Sequence, residues 1–300
     1  MNSASAPSKL YSDDVSLLVV LLDANPFFWA SSAAASGDSA SQHHPTAVLS
    51  FSKLLNHVIP FLNSLLLLNQ FNQVVLVATG VNSCSYIYDS EEGGAESASG
   101  NVPAVCSKIL RRLEEFLTKD RLLGKDPDMV VASSVSSLLS GSLSLALCYI
   151  QRIFRSGARH PQPRGSPDGP EQYVAVMNAI FSAQRSMIPI DSCVMGVQHS
   201  AFLQQASYIT GGVYLKPQHL DGLFQYLSVV FATDLQSRSF LQLPRPAGVD
   251  FRASCFCHKK TIDMGYVCSV CLSIFCKRHK KCSTCGSDFS QSPIDLNAPH

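Results

Sequence analysis

The chain has 300 residues, 46% hydrophobic and only 15% charged, with a net charge of +1. There is ample core, and so little charge that a large part of the surface is expected to be covered by partners. No apolar run of about eighteen residues occurs, and the Leu17–Leu22 run lacks a basic flank, which excludes a membrane span and an export signal. Eleven cysteines without an export signal then argue for metal ligation in a reducing compartment rather than for disulfides.

A polar start (1–12) precedes Val15–Leu22, a continuous apolar run that predicts a strand buried on both faces. Ser31–Gln42 has no periodicity and reads as a flexible insertion. From Ala47 to about Asn69, Val48, Phe51, Leu54, Leu55, Val58, Phe61, Leu62 and Leu65 recur at helical spacing, with Pro60 expected to kink or break the helix. Val74–Ala78 is a second strand, and Cys84–Tyr88 a hairpin partner at the sheet edge.

Helices are predicted from Pro103 to beyond Leu117, over about Ser136–Arg155, and over Glu171 to about Arg185. A strand at Ile188–Met195, a helix from Ser200 to the Gly211-Gly212 stop, a short strand at Val213–Leu215 and a helix at His219–Phe231 follow. The alternation predicts a doubly wound α/β fold with a mostly parallel sheet. The domains are then 13–235 for the α/β unit, 236–253 for a linker, 254–286 for a zinc finger and 287–300 for a disordered tail. No internal repeat is evident.

Seven cysteines crowd into 255–285. Cys268-x2-Cys271 and Cys282-x2-Cys285 are two knuckles that together complete a tetrahedral zinc site. The favoured reading is one structural zinc on those four, with Cys255, Cys257 and Cys276 packed as buried thiols. The alternative joins 255/257 to 276/279 as a second site, giving a RING-like cross-brace with His279 as a ligand. Between Ser254 and Gly286 six Lys or Arg face one acid. The run Lys277, Arg278, Lys280, Lys281 suits nucleic acid, an acidic partner or a solvated loop.

Catalytic signals are poor. Asp23 ends the first strand, where open α/β sheets bind ligands, but Asn25 and Phe27 stand where a Mg²⁺ loop wants hydroxyls. Asp23 is therefore expected to organise its loop. His43, His44, His57 and His199 lack an evident nucleophile, and Cys84, Cys106, Cys148 and Cys193 read as core thiols. No enzyme and no small-molecule substrate are expected.

Asp23-Ala24-Asn25-Pro26-Phe27-Phe28-Trp29, Phe181–Gln184, Ile209–Tyr214 and the block Cys255–Cys276 together resemble the family of general transcription factor IIH subunit three. These are the smaller von Willebrand A-like, zinc-finger-bearing subunits of the TFIIH core. The resemblance implies a von Willebrand A-like domain and a four-cysteine finger on Cys268, Cys271, Cys282 and Cys285. It also implies a nuclear, non-catalytic scaffold in RNA polymerase II initiation and nucleotide excision repair, paired with the larger RING-bearing von Willebrand A subunit and other core subunits, touching DNA only within the complex if at all. Two rivals are a RING-like ubiquitin ligase and a zinc-ribbon nucleic-acid binder. The family pattern also demands a strand between Arg155 and Glu171, where the sequence offers Arg159-His160-Pro161-Gln162-Pro163-Arg164-Gly165. A shortened variant missing that central strand is expected there.

Overall fold

The structure, a computed structural model, describes residues 17–34, 49–69, 72–91, 102–123, 136–154, 160–164, 172–196, 199–233, 237–244, 249, 251–253, 255–258 and 262–289. β1 (Leu17–Asp23) and β2 (Gln73–Thr79) run parallel, from Leu17 opposite Gln73 to Asp23 opposite Thr79. β3 (Cys84–Asp89) folds back antiparallel on β2 as the expected hairpin. β4 (His160–Arg164), β5 (Ile190–Val194) and β6 (Tyr214–Leu215) form a second, all-parallel ladder. β4 lies alongside β1, so the strand order across the layer is β3-β2-β1-β4-β5-β6.

The central strand is therefore present, and the shortened-variant expectation fails. In His160-Pro161-Gln162-Pro163 each proline fixes its own φ and pushes the residue before it out of the helical region. The segment is extended on its own account, without an apolar run. Prolines at alternate positions also place both missing N–H groups on one edge, because donors alternate sides along a strand. The other edge carries the ladder to β5, with His160 opposite Ile190 and Arg164 opposite Val194. The donor-poor edge faces β1, which is why the strands register as two three-stranded ladders rather than one.

Side chains alternate from β1 and β2 into two cores. Val20, Leu22, Val74 and Leu76 meet α1 (Pro26–Ala34) through Trp29, and α2 (Phe51–Leu68) and α3 (Val102–Leu123) through Leu54, Leu62, Ile109 and Leu113. Leu17, Val19, Leu21, Val75 and Val77 meet α4 (Leu139–Phe154), α5 (Tyr173–Arg185) and α6 (Ala201–Thr210). α7 (Leu223–Tyr226), continued by a π turn at Leu227–Phe231, returns to the first face. This is the doubly wound, von Willebrand A-like three-layer fold.

Several local readings need correction. α2 runs unbroken through Pro60. Pro60 and Asn56, whose carbonyl it frees, are both exposed, so water can satisfy that group. α2 is long and apolar enough to cross a membrane, yet it lays Leu54, Val58, Ile59, Phe61, Leu62 and Leu65 into the core. α1 extends to Ala34, into the expected insertion; residues 35–48, with His43 and His44, lie outside the described ones, as do 1–16. The stop at Gly211 holds: its φ of 72° is the left-handed conformation that glycine adopts without cost.

The segment read as a linker is tied down. A 3-10 turn, Ser237–Phe240, sends Arg238 back to β5, where its guanidinium donates to both oxygens of fully buried Asp191 at 2.9 and 2.5 Å. Val213 N–H donates to the same carboxylate at 2.8 Å. Further on, Phe251 packs edge-on against Tyr208 of α6, ring centroids 5.0 Å apart.

Candidate metal centres

The cysteine-rich block folds around one large apolar side chain. β7 (Tyr266–Val267) and β8 (Ile274–Phe275) pair antiparallel, and Phe275, 1% exposed, packs with Cys268, Cys282, Phe256 and Phe289. Ordered structure continues to Phe289, whose N–H donates to the Lys280 carbonyl, so the module runs past residue 286. So small a core needs further cross-links to hold its shape.

The structure brings Cys268, Cys271, Cys282 and Cys285 together as the knuckle spacing predicts, their ligand atoms all within 4.8 Å of one another. The Cys268–Cys285 and Cys271–Cys282 sulfurs stand 3.7 and 3.6 Å apart. Four thiolates at tetrahedral zinc distances sit about 3.8 Å from each other, and a disulfide needs only about 2.05 Å. The donor set fits a metal, not a disulfide pair.

The two knuckles are copies of one another, a repeat that the sequence reading missed. Cys268-Ser269-Val270-Cys271-Leu272-Ser273 matches Cys282-Ser283-Thr284-Cys285-Gly286-Ser287 residue for residue in backbone bonding. Leu272 N–H donates to the Cys268 carbonyl and Gly286 N–H to the Cys282 carbonyl, both at 2.9 Å. Cys268 N–H donates to Ser273 and Cys282 N–H to Ser287, at 2.9 and 2.8 Å. Ser273 and Ser287 hydroxyls lie 3.0 and 3.1 Å from the second thiol of their knuckle. Both turns close with a left-handed residue, Leu272 at φ 59° and Gly286 at φ 73°. For leucine that conformation costs about 1–2 kcal/mol, and for glycine almost nothing.

Electrostatics differ among the four thiols. The Ser287 hydroxyl and N–H hold the Cys285 thiol down at about 6. Burial raises Cys282, but the Cys285 and Thr284 N–H groups outweigh it and leave it below its usual value. Burial pushes Cys271 up to about 11. Cys285 is thus the thiolate best prepared to meet a cation.

A second cluster joins Cys255, Cys257, His258 and Cys276. Cys276 Sγ stands 3.5 Å from Cys257 Sγ and 3.2 Å from His258 Nδ1, and Cys255 Sγ lies 3.9 Å from the same nitrogen. Of the three thiols expected to be buried, Cys255 is, but Cys257 is exposed and Cys276 half-buried. The fourth donor is His258, not His279, whose ring packs edge-on against Phe275 at 5.2 Å. Cys-x-Cys-His, three donors in four residues, was the available signal. Cys276 lies in sequence between the knuckles of the first cluster, so the two sites interleave.

The other candidate residues serve the fold. Asp23 is buried and accepts the Asn25 N–H at 3.2 Å and the Ser137 hydroxyl at 2.6 Å, the loop-organising role expected. Asn25 caps α1 by accepting from Phe27 N–H at 3.0 Å, with Pro26 as first helical residue. His199 Nδ1 meets the Tyr214 hydroxyl at 3.0 Å. Cys193 is buried, its thiol pushed up to about 12, and Cys84, half-buried, is raised to about 12 by burial and by Asp120. Cys106 is half-buried too, whereas Cys148 is exposed rather than core.

Residues 15–286 match the family model of transcription factor Tfb4. The chain belongs to the Tfb4 family. Among Tfb4-family proteins, the Arabidopsis thaliana general transcription and DNA repair factor IIH subunit TFB4 is 64% identical over 297 residues, 96% of this chain and 93% of that protein. The Dictyostelium discoideum general transcription factor IIH subunit 3 is 42% identical, over 83% of this chain and 70% of its own length. The crystal structure of the TFIIH p34 N-terminal domain superposes on 72% of this Tfb4-family chain and 98% of that one, with a TM-score of 0.53 and 28% identity.

Proposed function

We propose that this chain is a non-catalytic scaffold subunit of the TFIIH core, acting in the nucleus in RNA polymerase II initiation and nucleotide excision repair. The carrying observation is the Tfb4 match from residue 15 to 286, which spans the α/β domain and both cysteine clusters. The larger RING-bearing von Willebrand A subunit is the main partner, with other core subunits beside it. Any contact with DNA is made only within that complex. Low charge and the exposure of Leu67, Leu68, Phe27, Leu122 and Leu123 support a life spent in contact with other proteins.

Both clusters hold structural zinc in this reading. Four thiolates at the first site, and three thiolates with one imidazole at the second, are soft, closed donor sets of the kind zinc takes without an open position for catalysis. The second cluster supports two ions over the single ion favoured by spacing alone. Zinc would fix the two tetrahedra around Phe275 and supply folding energy to the module. The chain's own residues provide the turns, the serine contacts and the apolar centre.

The test is affinity purification of the tagged full chain from nuclei, with metal analysis of the eluate. Co-elution of the larger subunit at near-equal stoichiometry, with two zinc ions per chain within 255–285, is expected. A chain that elutes alone overturns the scaffold reading; one equivalent of zinc overturns the second site.

A further inference from the structure

The two knuckles are an internal control on each other. They share backbone, serine contacts and paired cysteines, so whatever the metal requires, both provide. They differ at two side chains. The first carries Val270 and Leu272 where the second carries Thr284 and Gly286. Val270 is 68% and Leu272 51% exposed, and nothing covers them among the described residues. Leu272 also occupies the left-handed position that Gly286 fills in the second copy. A strained, solvent-exposed leucine at a place where glycine suffices is not explained by the fold.

The excess extends along the hairpin. Met264, Tyr266 and Val267 are exposed as well, so five of the nine residues 264–272 present large apolar side chains to solvent. Single exposed apolar residues are ordinary, but a contiguous group on so small a module is not. At the other end of the same hairpin, directly after β8 and Cys276, Lys277, Arg278, Lys280 and Lys281 are all exposed. The segment from Leu272 to Lys281 therefore joins an aliphatic tip to four cations.

We propose that this hairpin is a docking surface for a protein segment carrying aliphatic side chains flanked by carboxylates. The aliphatic groups sit on Val270 and Leu272, and the carboxylates on the cations that follow Cys276. A nucleic acid would use the cations and leave Val270 and Leu272 in water, so the apolar tip selects protein. Charge brings the segment in and sets its direction along the hairpin, and the aliphatic tip holds it. The proposal rests on the scaffold reading and adds to it the chemistry of one contact.

The second knuckle supplies the test substitutions. Val270→Thr with Leu272→Gly copies residues that the module already tolerates in an equivalent turn. In the full chain the pair should leave metal content unchanged and should not lower the module's melting temperature. A benzophenone photocrosslinker is placed at position 270 in one chain and at 284 in another, and each is irradiated in the assembly it forms in nuclei. Crosslinks at 270 to another polypeptide, at least tenfold above those at 284, and mapping to a segment with two or more aliphatic residues and neighbouring carboxylates, are expected. The Val270→Thr, Leu272→Gly chain should retain that segment at least tenfold more weakly after a salt wash. Equal labelling at the two positions, or labelling of nucleic acid, of a second copy or of a basic segment, overturns the proposal. An intact assembly with no product at 270 overturns the docking surface alone, whereas a chain that elutes by itself overturns the scaffold reading with it.

Discussion

Removing Arg238 measures how firmly the segment after the α/β domain is built into it. Asp191 is fully buried, and its carboxylate has three strong donors: two N–H groups of Arg238 and the Val213 N–H. Arg238→Ala leaves the charge inside with Val213 alone. Breaking a buried pair from one side costs about 3–5 kcal/mol. The Arg238 side chain keeps 12% exposure, so water can enter part of the vacated space, and we expect the lower end, about 3 kcal/mol. With a urea slope of about 2 kcal/mol per molar, the unfolding midpoint should fall by about 1.5 M. Trp29, the sole tryptophan, is buried beside the same domain's first strand and reports the transition by fluorescence. Adding Asp191→Asn to Arg238→Ala removes the stranded charge while keeping an acceptor for Val213, and should recover about 1–2 kcal/mol. A midpoint shift under about 0.5 M, or no recovery in the double variant, would refute the reasoning.

Four further outcomes follow from the same geometry. Cys271→Ser should remove one zinc and unfold the module, while Cys276→Ser or His258→Ala should lower the metal count from two to one by elemental analysis; an unchanged count for His258→Ala would dismiss it as a ligand. Phe275→Ala should cost the module about 3–5 kcal/mol, read as loss of amide protection across 255–289. Calorimetry with Mg²⁺ should show no submillimolar binding that Asp23→Ala abolishes, because Asp23 already serves Asn25 and Ser137. With a ubiquitin-activating and conjugating system the chain should form no ubiquitin chains; robust chain formation would favour the RING-like reading that the interleaved clusters permit.

Much of the α/β unit was legible because its signals are local. The apolar runs of β1 and β2, the hairpin at Cys84, the helix start near Ser200 and the stop at Gly211 each follow from a few adjacent residues. What was missed depends on partners far along the chain or on two effects acting together. β4 has no apolar run, and its strand state comes from the proline pair and its register with β5. Pro60 is expected to kink or break its helix, yet the helix continues because the freed carbonyl reaches water. Asp191 and Arg238 are 47 residues apart, and no periodicity links them. In the metal module the knuckle cysteines were plain from spacing. His258 was overlooked because it follows Cys257 directly, and the 273/287 serines because their role appears only when the two turns are superposed.

The proline-bearing edge of β4 has a mechanical consequence. A sheet laced by hydrogen bonds throughout transmits shear from strand to strand, whereas this one is laced in two panels that meet between β1 and β4. Across that line Pro161 and Pro163 offer acceptors but no donors, so the two cores carry more of the load: Cys193 and Val213 share one with Val20 and Leu22, and Ile190 and Val194 share the other with Leu17 and Val19. Dispersion contacts yield to sliding and twisting more readily than directional bonds do. A pull arriving through Arg238, which ties the chain leading to the metal module to Asp191 on β5, is therefore expected to meet less resistance between β1 and β4 than within either ladder.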